Sequence, residues 1–233
     1  MKLFFKLILR QLGLEGIIGV LICRSALRED GWFLSNRKNK AIDKNNNQIP
    51  WFTYPCNDFL KDRITKNMII FEYGIGGSSI WLSNLAGHVD SVEHNKKFYN
   101  WYKDKTNTIS NIDIKYVPLE PIHNNLSYEE LSFLKLYSTN QYVSSISSKN
   151  KKYDIIIVDG IFRLDCIFEC INNINDSGVI ILDNTNYMDK LSDAITFMEK
   201  HGFRRLDFWG MTPIIWAKSC TTIFYKNRNC FNI

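Results

Sequence analysis

Phe71-Glu-Tyr-Gly-Ile-Gly-Gly-Ser-Ser79 follows the apolar run Asn67-Met-Ile-Ile70 and precedes Ile80-Trp-Leu-Ser-Asn-Leu-Ala-Gly87. Three of the 12 glycines fall within four positions here. An apolar run, a glycine turn and a Ser-led helical segment form a strand–turn–helix unit, with Ser78 or Ser79 as the expected N-cap. Such a turn presents backbone N–H groups and the positive end of a helix dipole at a sheet edge. A phosphate, a nucleoside or merely a neighbouring helix would each explain the glycines, because glycine also serves plain backbone geometry.

The same alternation continues downstream. HVDSVEH (88–94), IDIKYVPL (112–119), YDIIIVDG (153–160) and GVIILDNT (178–185) read as strands. KKFYNWYKDKT (96–106), RLDCIFECINNI (163–174) and MDKLSDAITFMEKHG (188–202) read as helices, the last ended by Gly202. SYEELSFLKLY (127–137) reads as a further helix, with Ser127 and Glu130 at capping-box spacing. FRRLDFWG (203–210) and CTTIFYKN (220–227) are strands with no helix between them. The pattern predicts an α/β fold: a doubly wound, mostly parallel seven-stranded sheet with a C-terminal antiparallel hairpin. Residues 1–50 are expected to form an N-terminal helical extension and a polar linker over 30–50, and residues 51–233 the main domain.

With 23% charged residues and a net charge of +5 spread over short clusters, nucleic-acid binding is not expected. The six cysteines form no CxxC pair and have no histidine completing a zinc set, which points to reduced thiols in a cytoplasmic protein. Residues 1–23 are apolar but broken by Lys6, Arg10 and Glu15, short of the roughly 18 uncharged residues of a membrane span. Their partial helical spacing suits a helix docked on the domain or, alternatively, a peripheral membrane contact with Lys2, Lys6 and Arg10 at the headgroups. Nothing in the sequence bears on oligomeric state.

Glu93 closes the second strand, 19 residues after Gly74, where a carboxylate can accept both hydroxyls of a ribose. A dinucleotide fingerprint would end in Gly or Ala where Ser79 stands, and a pyrophosphate would be repelled by Glu72. A cationic, phosphate-free nucleoside cofactor escapes that repulsion. IIFEYGIGGSSIWLS, VDSVEHNKKFY, YDIIIVDG, GVIILDNT and the terminal hairpin resemble the class I S-adenosylmethionine-dependent methyltransferases, over roughly residues 50–227. The resemblance is strongest to small bacterial methyltransferases with an EYGxGxST loop, a preceding PWxTYP segment and VDG…R after the fourth strand.

The resemblance implies that Gly74, Gly76 and Ser78 line the methionine part of the cofactor, with Ser78 standing where a third glycine is commonest. It implies Glu72 near the cofactor's amino group, Glu93 at its ribose and His94 near its adenine. Asp159 ends the fourth strand, and Asp183 and Asn184 end the fifth. Two carboxylates and an amide oxygen are hard ligands, and the set is similar to that of cation-dependent O-methyltransferases, which implies Mg²⁺ or another divalent cation. Without a metal, Asp159 is the first candidate base and Asp183 the second, with Asp159 also able to orient the cofactor. His123 and His201 are eligible by type. Arg163 either binds an acidic acceptor or pairs with a nearby carboxylate. Tyr54, Trp209, Trp51 and Trp216 suit stacking on a sugar or aromatic ring, or packing. The expected activity is O-methylation of a small molecule or glycan unit. The alternatives are an NAD(P)-dependent oxidoreductase and a non-catalytic scaffold at a membrane surface.

Overall fold

The apolar runs become neighbouring strands of one sheet in a computed structural model that describes residues 11–13, 24–121, 137–138, 140–188 and 190–233. The seven strands are β1 (Ile69–Tyr73), β2 (His88–Glu93), β3 (Ile112–Tyr116), β4 (Tyr153–Val158), β5 (Ile174–Leu182), β6 (Arg204–Gly210) and β7 (Ser219–Tyr225). Their spatial order is β3-β2-β1-β4-β5-β7-β6. The first five run parallel, and β7 lies antiparallel between β5 and β6. The chain winds outward from β1 to β3, then returns to place β4 on the other side of β1.

Ile155, Ile156, Ile157 and Val158 are all fully buried. Successive side chains point to opposite faces, so Ile155 and Ile157 enter one core with Leu60 and Leu82. Ile156 and Val158 enter the other with Tyr73, Ile167 and Met198. Helices therefore cover both faces, which is why these strands read as continuous apolar runs rather than alternating ones. Each such isoleucine contributes roughly 1.5–3 kcal/mol by burial.

The helices whose bounds fall within the described residues are α1 (Trp32–Lys38), α2 (Tyr54–Lys61), α3 (Gly77–Leu85), α4 (Lys96–Thr106), α5 (Asn140–Val143), α6 (Arg163–Cys170) and α7 (Leu191–Lys200). Two corrections arise here. The polar stretch 30–50 is not simply a linker, because it contains α1 with Trp32 and Ser35 buried. Trp32 Nε1 donates to Ile215 O at 3.2 Å and Asn36 Nδ2 to Ile214 O at 3.0 Å, fastening α1 to the β6–β7 connection. The N-cap of α3 is Gly76, and Ser78 and Ser79 lie inside the helix. Most of residues 1–23, on which the docking or membrane contact rests (1–10 and 14–23), the Ser127–Glu130 capping box and His123 lie outside the described residues. Among the described residues, no helix is long and apolar enough to cross a membrane. Cysteines 56, 166, 170, 220 and 230 are free thiols.

Candidate active site

Strand order reverses between β1 and β4, so their carboxyl ends diverge and leave a crevice. Gly74 leaves β1 at φ +97°, a left-handed conformation suited to glycine. A Cβ there would stand 3.1 Å from both Cα and N of Gly160, which follows β4. A Cβ on Gly160 would fall 2.1 Å from the Tyr142 hydroxyl. The two turns thus pass at backbone contact, and a cavity of about 700 Å³ opens above them. Its wall includes Gly74, Gly76, Ser78, Glu93, His94, Asp159, Asp183 and Asn184. That volume suits a nucleoside-sized ligand with room beside it.

Glu72 is fully buried and stands off the cavity wall. Its carboxylate accepts hydrogen bonds from the hydroxyls of Ser78, Ser79 and Ser91. Ser79 Oγ also accepts from Gly76 N at 3.1 Å, so Glu72 holds the glycine loop through a hydroxyl relay. Burial pushes Glu72 up to about 7, opposed by the three hydroxyls. The loop's paired serines thereby have a physical role that neither was expected to have: they solvate a buried carboxylate.

Glu93 faces the cavity from the end of β2. Its Oε2 accepts from Ile75 N at 3.2 Å and its Oε1 from Asn95 N at 2.7 Å. His94 Nδ1 lies 3.0 Å from the same Oε1. These contacts hold the carboxylate in one orientation at the crevice.

At the ends of β4 and β5, Arg163 ties the two turns together. Its Nε donates to Gly160 O and its Nη1 to Asp183 O, both at 3.0 Å. Its Nη2 lies 3.2 Å from Asp159 Oδ1 and from Asn184 Oδ1. Of the two readings of Arg163, the carboxylate pair is the one formed, and the side chain stands off the cavity wall. Burial pushes Asp159 above the usual carboxylate range, the charge of Asp183 adds to this, and Arg163 opposes it. Burial pushes Asp183 up to about 6, opposed by Thr221, whose hydroxyl donates to Asp183 Oδ1 at 2.5 Å.

This donor set does not fit a divalent cation. Asp159 Oδ1 and Asn184 Oδ1 both accept from a guanidinium, and Asp183 Oδ1 is taken by a hydroxyl. A cation among them would sit beside a fixed positive charge. At the opposite edge of the sheet, His88, Asp90 and Asp113 bring ligand atoms within 4.8 Å of one another. There Lys149 Nζ already lies 2.9 Å from Asp90 Oδ1 and 3.7 Å from Asp113 Oδ2.

Tyr54 and Trp209 are also off the cavity wall. Tyr54 packs with Trp32 and Ile49, and Trp209 is half exposed on β6 with Lys218 Nζ 5.1 Å from its ring centroid. Trp51 does reach the wall, whereas Trp216 packs edge-on against Trp32 outside it. His201 sits at the end of α7, its Nδ1 2.8 Å from Phe197 O. Sequence reasoning missed Phe98, Trp101, Tyr102 and Lys105 of α4, together with Lys40 and Gln48. The α4 residues repeat at three- and four-residue intervals, a stripe that ordinarily packs against a core. Here it faces the cavity instead.

The fold is that of the class I S-adenosylmethionine-dependent methyltransferases. A crystal structure from Klebsiella pneumoniae, of a protein described as an O-methyltransferase, shares 14% identity at a TM-score of 0.53. The match covers 85% of this chain and 89% of that one. A methyltransferase-like protein from Silicibacter pomeroyi shares 19% identity at a TM-score of 0.50, over 76% of this chain and 90% of that one. At these identities the likeness is one of fold. No family model matches the chain, and no curated protein sequence matches it.

Proposed function

We propose that the chain is an S-adenosylmethionine-dependent methyltransferase acting on an oxygen of a small molecule or glycan unit. The observation that carries this is the continuity of one cavity from the Gly74–Ser78 loop and Glu93 to Asp159 and Asp183. Gly74 and Gly76 leave room for the cofactor's methionine tail, and the N-terminus of α3 offers backbone N–H groups to its carboxylate. Glu93 suits the ribose hydroxyls, and the acidic floor suits a positively charged sulfur. Bound there, the cofactor would supply an activated methyl group.

The protein's part is to align the acceptor, exclude water and take a proton. Asp183 does the last best. Raised to about 6, it is mostly ionised at neutral pH yet basic enough to accept a hydroxyl proton. Asp159 stands beside it, restrained by Arg163. No step is assigned to a metal.

Calorimetric titration with S-adenosylhomocysteine, and separately with NADPH, tests this reading. S-adenosylhomocysteine is expected to bind, and folded Gly74→Arg protein is expected not to. Absence of binding to the wild type at millimolar ligand would sink it, and binding of NADPH alone would favour an oxidoreductase.

A further inference from the structure

Lys40 and Lys105 converge on one indole. Lys105 Nζ lies 4.2 Å from the centroid of Trp101 and 4.9 Å from that of Tyr102, and Lys40 Nζ lies 5.7 Å from that of Trp101. Both lysines and Trp101 border the cavity. Among the described residues, neither ammonium has an ion-pair or hydrogen-bond partner. Burial holds Lys105 below the usual lysine range, and the charge of Lys40 adds to this. Two neighbouring cations without a counter-charge repel each other, and contact with aromatic faces offsets only part of that cost.

Polarity across the cavity is therefore divided. Glu93, Asp159 and Asp183 lie on its floor, and the lysine pair stands on the wall made by α4 and the segment after α1. A cationic cofactor matches the floor, and its own carboxylate has the α3 N-terminus. The lysines are left without a ligand. We propose that Lys40 and Lys105 form an anion subsite for the methyl acceptor, which then carries a carboxylate or phosphate. Trp51 and Phe98, also on the cavity wall, provide apolar surface for the acceptor's ring. This assignment of the acceptor class rests on the methyltransferase reading above.

The test uses the full chain with three probes: phenyl phosphate, benzoate and the neutral phenyl glucoside. Each is titrated into protein saturated with S-adenosylhomocysteine and into ligand-free protein, for wild type, Lys40→Gln, Lys105→Gln and the double variant. Thermal melts confirm that each variant is folded. Phenyl phosphate or benzoate is expected to bind the wild type at least about tenfold more tightly than the glucoside, more weakly as salt rises. The double variant is expected to lose about that factor while its S-adenosylhomocysteine affinity stays within about twofold. Equal binding of charged and neutral probes, or anion binding untouched in the double variant, overturns the proposal. Loss of S-adenosylhomocysteine affinity in the double variant also overturns it, by giving the lysines to the cofactor's carboxylate. Failure of S-adenosylhomocysteine to bind wild type would remove the methyltransferase reading, while the ligand-free titrations still decide the anion subsite.

Discussion

Gly74 and Gly160 meet backbone to backbone: a Cβ on the first would stand 3.1 Å from the Cα of the second. Behind Gly160 lies the hydroxyl of Tyr142, which is buried with no hydrogen-bond partner among the described residues. A methyl at Gly160 would fall 2.1 Å from that oxygen. Gly160→Ala is expected to cost about 1–3 kcal/mol by overpacking. Tyr142→Phe removes no hydrogen bond and is expected to be neutral or stabilising. Combining the two should recover much of the alanine's cost, which urea denaturation of all four proteins would measure. Strict additivity would contradict the contact.

Glu72 predicts a pH dependence of stability. Its pKa rises from 4.5 to about 7 on folding, so the native state holds the proton more tightly than the unfolded chain between those values. The stabilisation is present below pH 4.5 and is lost as pH climbs through about 7, on the order of 3 kcal/mol. Glu72→Gln should be flatter over that window in urea midpoints measured at several pH values. Asp159 and Asp183 titrate in the same direction and remain in the variant, so the wild-type-minus-variant difference carries the prediction.

Arg163 bonds Gly160 O, Asp183 O, Asp159 Oδ1 and Asn184 Oδ1 with one planar group. A lysine ammonium cannot span that set. Arg163→Lys is expected to lose about 2–4 kcal/mol in urea denaturation. A loss near zero would show that the two turns hold their positions without it.

Asp183→Asn separates chemistry from cofactor binding. Methyl transfer is expected to fall about 10²–10⁴-fold, followed as a methyl-sized mass gain on acidic sugars or aromatic acids. S-adenosylhomocysteine affinity should change little, because Gly74, Gly76 and Glu93 are untouched. In wild type the acid limb of the pH–rate profile should rise near pH 6, where Asp183 ionises.

Exhaustive chelation with EDTA is expected to leave activity unchanged. The oxygens at the ends of β4 and β5 already accept from Arg163 and Thr221. Loss of activity on chelation, restored by Mg²⁺, would mean that Arg163 swings away to admit a cation.

The parallel sheet was legible because its cause is local. Runs such as Tyr153–Val158 and the glycine turn after Tyr73 state a strand's burial and its sharp end in consecutive residues. Gly74, Glu93, Asp159 and Asp183 were legible as candidates because strand ends in such a sheet converge on one edge. The contacts that define the site were not legible. Ser91 reaches Glu72 from another strand, and Thr221 reaches Asp183 across the antiparallel pairing of β5 with β7. Phe98, Trp101 and Tyr102 form an aromatic stripe of the kind that ordinarily packs on a core, and only the placement of α4 beside the cavity turns them, with Lys105, into a wall. Helix α1 hid in a polar stretch because its stability comes from Trp32 and Asn36 bonding a loop about 180 residues away. The sequence by itself determined where the strands fall along the chain, that they are mostly parallel with an antiparallel pair at the end, and which acids end them, since periodicity and turn chemistry act between near neighbours. Their spatial order, with β7 between β5 and β6, came from tertiary structure. Tertiary structure also decided which of those acids face the cavity, which is buried beneath it among hydroxyls, and which lysines stand without partners among the described residues. Hydrogen bonding and charge pairing depend on distances that chain order does not contain.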